Sequence, residues 1–203
     1  MKTIVFIGDS VTRSTPFYLF WRPKGYVRHI EKAFDSRVQI INSGRDGDCL
    51  VDLIPRWETD VLNHDPQIVS IDIGVNDTLR SFGKGLQVVE TDFESNYRRI
   101  IERTLESGVT TVVLCEPFII PLKSTMQSWR EDLQERLFVI KNLAVEYGLT
   151  LIDFDRHLNE ISQEINPRRI TKDGIHPTNF GSQIMAQLWS KLVEDKYMFD
   201  NQK

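Results

Sequence analysis

Short apolar runs recur along the chain. They are TIVFI (3–7), VQIIN (38–42), IVSIDI (68–73), TTVVLC (110–115) and LTLID (149–153). Val and Ile dominate them, and apolar and polar positions do not alternate cleanly. That pattern marks strands buried on both faces. Between the runs the apolar residues switch to helical spacing. In 92–108, Phe93, Tyr97, Ile100, Ile101 and Leu105 fall near every 3.6 residues, and Gly108 stands just past the end. In 128–148, Leu133, Leu137, Ile140, Leu143 and Ala144 form one stripe, with Ser128 and Glu131 in capping-box spacing. A last helix is expected from Asn179 to Lys196.

Strands alternating with helices imply right-handed crossovers and a parallel sheet covered on both sides. The expected fold is a three-layer α/β/α domain with a five-stranded parallel sheet. By analogy with flavodoxin-like folds, the expected strand order is 2-1-3-4-5. A length of 203 residues with 40% hydrophobic content suits one full core, so 1–203 is expected to be a single domain. In such a sheet the ligand site lies outside the carboxyl ends of the strands.

The residues at those ends carry chemistry. Gly8-Asp9-Ser10 follows the first run. Gly44 follows the second, directly behind Asn42 and Ser43. Gly74-Val75-Asn76-Asp77 follows the third. Asp173-Gly174-Ile175-His176-Pro177 comes after the fifth and a further helical stretch. Serine is a weak nucleophile that needs a base, and histidine titrates near working pH. An Asp on the other ring nitrogen fixes the tautomer. Asp173 and His176 are three residues apart, so one loop presents both. A tetrahedral intermediate also needs donors for its oxyanion. The Ser10 and Gly44 amides and the Asn76 side chain supply that type of group. Gly44 is read as letting the backbone approach the substrate. Asp9 is read as structural, accepting loop amides.

Ser10, Gly44, Asn76 and His176 occur in the order that names the SGNH hydrolases, the GDSL-like lipase/esterase family. GDSVT resembles the first block, NSGRDGD the second, GVND the third and DGIHP the last. The resemblance spans residues 8 to 177. It implies a flavodoxin-like fold and hydrolysis of esters or thioesters without a metal or other cofactor. It implies Ser10 as nucleophile, His176 as base and Asp173 as orienter, with an oxyanion hole of Ser10, Gly44 and Asn76. Two departures stand out. Val11 takes the place of the Leu in the family's name. Arg13 to Pro16 lacks a glycine that many relatives carry, so substrate preference is where the resemblance implies least.

Composition narrows the remaining classes. Net charge is −4, without the basic excess of a nucleic-acid binder. Cys49 and Cys115 lack zinc-ligand spacing and are expected to be reduced thiols, with Cys115 in the core. No signal-peptide pattern and no run of membrane-spanning length is present, so a cytoplasmic location is expected. His29, His64 and His157 lack catalytic context. Trp21, Trp57 and Trp129 are read as core. Asp72 is out of place in a buried strand. The spacings of an α/β-hydrolase elbow, a dinucleotide fingerprint, a Walker A loop and a haloacid dehalogenase are all missing. The expected activity is hydrolysis of a small-molecule ester through an acyl-enzyme, short-chain or carbohydrate acetates first. A thioesterase, a lysophospholipase or a non-catalytic flavodoxin-like binding module is the alternative. A symmetric homo-oligomer is the general prior.

Overall fold

The computed structural model describes residues 1–14, 25–34, 37–82 and 92–194. Strand β1 (Lys2–Gly8) runs between β2 (Val38–Gly44) and β3 (Ile68–Asp72). Then come β4 (Thr111–Cys115) and the short β5 (Thr150–Ile152). All neighbours pair in parallel, in the order β2-β1-β3-β4-β5. The fold is therefore the α/β architecture that the apolar runs imply. Gly8 pairs with Gly44 on one side and Asp72 on the other, so three strands end at one level.

The helices are α1 (Ser10–Arg13), α2 (Tyr26–Phe34), α3 (Leu50–Leu53), α4 (Trp57–Asp60), α5 (Val75–Phe82), α6 (Phe93–Glu106), α7 (Gln127–Glu146), α8 (Phe154–Glu164) and α9 (Asn179–Val193). They divide between the faces of the sheet, and β1 shows how. Ile4 and Phe6 pack into one core with Ile30 and Phe34 of α2, Leu158 of α8 and Trp189 of α9. Val5 and Ile7 enter the other with Leu53 of α3, Trp57 of α4 and Ile101 of α6. Two apolar faces explain why the run does not alternate. Each such side chain contributes about 1.5–3 kcal/mol by leaving water. α7 joins both cores, with Leu133 and Leu137 in one and Ile140, Leu143 and Ala144 in the other.

The helices expected at 92–108 and 128–148 form as α6 and α7, with two corrections. Leu105 is exposed rather than on the buried stripe. Thr104 is buried instead, because its hydroxyl donates to Ile100 O and accepts the Trp57 indole N–H at 3.1 Å. Ser128 does not cap α7. A 3₁₀ turn at Ser124–Met126 leads directly into the helix, which starts at Gln127 with Met126 as its N-cap. α9 starts as expected, with Thr178 Oγ1 accepting the Gly181 N–H. Its expected end at Lys196 lies outside the described residues, as does Trp21. Trp57 is fully buried, and Trp129 packs half-buried against the first core. Cys49 and Cys115 are both free and buried.

Trp189 ties the C-terminal helix to the sheet. It packs against Phe6 with ring centroids 4.9 Å apart and planes tilted by 46°, and its Nε1–H donates to Ser70 Oγ at 3.0 Å. Trp189→Ala is expected to lower stability by about 3–5 kcal/mol, read from the urea unfolding midpoint. A loss under about 1 kcal/mol would show that α9 is not anchored there.

Candidate active site

The four strand-end segments meet above Gly8, Gly44 and Asp72. β1 ends at Gly8, and Asp9 caps α1 by accepting the Val11 N–H on Oδ1 at 2.8 Å. This puts Ser10 at the first position of α1, half-buried. Ser10 Oγ lies 2.9 Å from His176 Nε2. His176 Nδ1 lies 2.7 Å from Asp173 Oδ2. Hydroxyl, imidazole and carboxylate thus stand in one hydrogen-bonded line. Such a line can draw a proton from the hydroxyl and stabilise the imidazolium that forms.

The loop carrying His176 and Asp173 is held from within. Asp173 Oδ1 accepts the backbone N–H groups of Ile175 at 3.0 Å and His176 at 2.8 Å. Thr171 Oγ1 accepts the Gly174 N–H and lies 2.8 Å from the His176 carbonyl it can donate to. Ile120 N–H donates to Gly174 O at 2.9 Å, tying the loop to the segment after β4. Burial alone would push the Asp173 carboxyl up. The His176 ring and the two amides outweigh it and hold the group below the usual carboxylate range. Asp173 therefore stays ionised at working pH.

Gly44 ends β2 beside Gly8, and Asn76 follows the end of β3. Gly74 has φ +128, a backbone conformation that favours glycine, and it turns β3 into α5. Asn76 then sits in the first turn of α5. Its Nδ2 carries two N–H groups, one of which donates to Asp48 O at 3.0 Å. The Gly44 N–H donates to Asn42 Oδ1 at 3.0 Å, and Asn42 Nδ2 donates to Thr12 O at 2.8 Å. A Cβ on Gly44 would fall 2.4 Å from Arg13 N and 2.9 Å from Asp9 O. The glycine thus admits the backbone of α1. Asp77 has a separate role, with both carboxylate oxygens accepting the Leu50 N–H at the start of α3. Arg13, at the end of α1, pairs with Asp46 at 3.0 Å. Thr15 and Pro16 lie outside the described residues.

Asn42, Asp48, Arg56 and Thr171 have no role in the sequence-based expectation. Asn42 and Asp48 are the first and last residues of the second block, and Thr171 sits two residues before Asp173, so their positions were a usable signal. Arg56 had none. The histidines read as structural are so placed. His29 Nε2 meets Asn179 Oδ1 at 3.0 Å, and His157 Nδ1 meets Asp153 Oδ1 at 2.9 Å. His64 closes a short 3₁₀ turn before Asp65.

Beneath Ser10 lies a pair of buried acids. Asp9 is 1% and Asp72 2% exposed. Burial pushes Asp9 up to about 7; the Val11 N–H and His176 oppose this, while Asp77 and Asp48 add to it. Burial, reinforced by Asp9, pushes Asp72 well above the carboxylate range, and the Tyr26 hydroxyl opposes it. Burial thus favours the neutral form of Asp72, at the carboxyl end of β3. Because the folded pKa of Asp9 lies above the unfolded value near ~3.9, its protonated form favours folding. That stability is whole below about pH 4 and is lost as pH rises to about 7. Asp9→Asn is expected to flatten the fall in stability between pH 5 and pH 8 by on the order of 1–3 kcal/mol, measured by urea unfolding at both values. Equal slopes in wild type and variant would contradict this.

Among the described residues no cluster of three or more His, Cys, Asp or Glu suits a metal ion. No helix among them is long and apolar enough to cross a membrane. Comparison with known proteins agrees with the geometry. The family model for the GDSL-like lipase/acylhydrolase family matches residues 6–184. The acetylxylan esterase of Geobacillus stearothermophilus is 28% identical, over 95% of this chain and 94% of its own. Thioesterase 1/protease 1/lysophospholipase L1 of Escherichia coli K12 is 21% identical, over 95% of this chain and 83% of its own. Among solved structures, a W215I variant of the Geobacillus enzyme superposes with a TM-score of 0.81 at 26% identity, covering 94% of this chain and 93% of that one. A putative GDSL-like lipase from Parabacteroides merdae gives 0.83 at 26% identity, covering 94% of both. This chain belongs to the GDSL-like lipase/acylhydrolase family and is an ester hydrolase.

Proposed function

We propose that the protein is a serine esterase that cleaves short-chain esters, carbohydrate acetates first, through an acyl-enzyme. The observation that carries this is the line from Ser10 Oγ through His176 to Asp173, at 2.9 and 2.7 Å. Ser10 Oγ attacks the ester carbonyl as His176 Nε2 takes its proton. Asp173 holds Nδ1–H and balances the imidazolium. The tetrahedral oxyanion is received by the Ser10 and Gly44 N–H groups and the second N–H of Asn76. An oxyanion is a stronger acceptor than the neutral Asn42 carbonyl, so the Gly44 N–H passes from one to the other. His176 then protonates the leaving alcohol. Water, deprotonated by the same ring, attacks the acyl-enzyme and releases the acid.

The acetate preference rests on the similarity to acetylxylan esterase along 95% of the chain. The similarity to thioesterase 1/lysophospholipase L1 is weaker, at 21% identity, and supports a second reading with longer or thioester-linked acyl groups.

Ser10→Ala is expected to abolish hydrolysis of p-nitrophenyl acetate while the melting curve stays cooperative. Turnover at the wild-type rate would remove Ser10 as nucleophile. Asn76→Ala is expected to cost about 100- to 1000-fold in kcat. A panel of acetylated xylo-oligosaccharides, acyl-CoA esters and lysophospholipids separates the two substrate readings. A best kcat/KM on a long acyl chain would overturn the acetate preference.

A further inference from the structure

Arg56 is a charged residue in a buried place. It ends a 3₁₀ turn at Ile54–Arg56, between α3 and α4, and its side chain is 7% exposed. A cation there needs compensation, since desolvation costs several kcal/mol per ion unless geometry and hydrogen bonds offset it. Two carboxylates supply this. Arg56 Nε donates to Asp48 Oδ2 at 2.9 Å, with Nη2 at 2.8 Å from the same oxygen. Nη1 donates to Asp60 Oδ2 at 2.8 Å. The remaining bonds go to backbone. Nη1 donates to Ser43 O at 2.8 Å and Nη2 to Gly8 O at 3.3 Å.

These acceptors are the backs of the oxyanion donors. Ser43 C=O and Gly44 N–H belong to the same planar peptide unit, so a grip on the carbonyl sets the direction of the N–H. A cation on that carbonyl also polarises the unit and makes the N–H a stronger donor. Asp48, held by its carboxylate on Arg56, offers its backbone carbonyl to Asn76 Nδ2 at 3.0 Å. That bond engages one N–H of the Asn76 amide and restrains the amide plane, and so the direction of the second N–H. Gly8 O lies one peptide before Asp9, which caps the helix that presents Ser10. One rigid guanidinium thus touches the segments behind all three donors.

We propose that Arg56 is a positioning residue for the oxyanion site, setting the aim and strength of the Gly44 N–H and, through Asp48, the aim of the Asn76 amide. The proposal rests on the oxyanion assignment made under the proposed function. Lysine cannot reproduce it, because a point charge lacks the planar fork that reaches Ser43 O, Gly8 O and both carboxylates together.

The test is steady-state hydrolysis of p-nitrophenyl acetate by Arg56→Lys, Asp48→Asn, Asn76→Ala and the Arg56→Lys/Asn76→Ala double variant, each checked for a cooperative melt. Arg56→Lys is expected to lower kcat by about 10- to 100-fold with KM within about twofold, since donor misalignment weakens the transition state rather than substrate binding. The double variant is expected to lose less than the product of the single losses, because both changes damage one device. Asp48→Asn keeps the backbone carbonyl while weakening the grip on Arg56. It is expected to lower kcat in the same direction, and it carries the test if Arg56→Lys does not fold. A folded Arg56→Lys with wild-type kcat, or losses that simply multiply, would overturn the positioning role. If Arg56→Lys is unable to fold, wild-type kcat in Asp48→Asn would do so. Wild-type kcat in Asn76→Ala would instead overturn the oxyanion assignment, and this proposal with it.

Discussion

The 2.9 Å contact between Ser10 Oγ and His176 Nε2 joins residues 166 positions apart. It can exist only if the chain returns, after five strands, to the end of the first. The sheet order provides that return. β1 lies between β2 and β3, so Gly8, Gly44 and Asp72 end at one level. α9 then packs back against α2, with Trp189 on Phe6 and Phe34, which carries the loop before it toward Ser10. Thr178 marks the join. It caps α9, and its backbone N–H donates to Ile170 O at 2.7 Å.

Polarity around the contact is graded. The His176 and Asp173 side chains are 53% and 54% exposed, where solvent stabilises the charges that catalysis creates. One layer below, Arg56 is compensated by Asp48 and Asp60. Deeper still, Asp9 and Asp72 are raised by burial toward their neutral forms. The buried Asp72 Oδ2 has no hydrogen-bond partner among the described residues. A neutral carboxyl costs far less there than an ion. Below the nucleophile, then, the buried Arg56 cation is matched by carboxylates, and burial shifts the two buried acids toward their neutral forms.

The sequence exposed most of the fold because the central strand is buried on both faces, and that leaves an unbroken apolar run. α6, α7 and the start of α9 were legible for a similar reason, each presenting an apolar stripe or a cap. α2 and α3 were not singled out, since their short apolar patterns gain meaning only against the sheet. Leu105 and Thr104 exchanged places on α6 because a satisfied hydroxyl can be buried while periodicity counts only apolar residues. Ser128 has the spacing of a cap, but the preceding turn already enters the helix.

The site divides along the same line. Residue types and their order identified Ser10, Gly44, Asn76, Asp173 and His176 as one group, because each follows a strand or loop that must end at the same edge. What holds them was decided only in three dimensions. Gly44 proved to be a glycine for the sake of Arg13 and Asp9, and its N–H rests on Asn42. Arg56 proved to join Gly8, Ser43, Asp48 and Asp60. Strand chemistry repeats with the chain and can be read along it. A hydrogen bond to a carbonyl, by contrast, depends on where the backbone passes, and every residue type has the same carbonyl to offer.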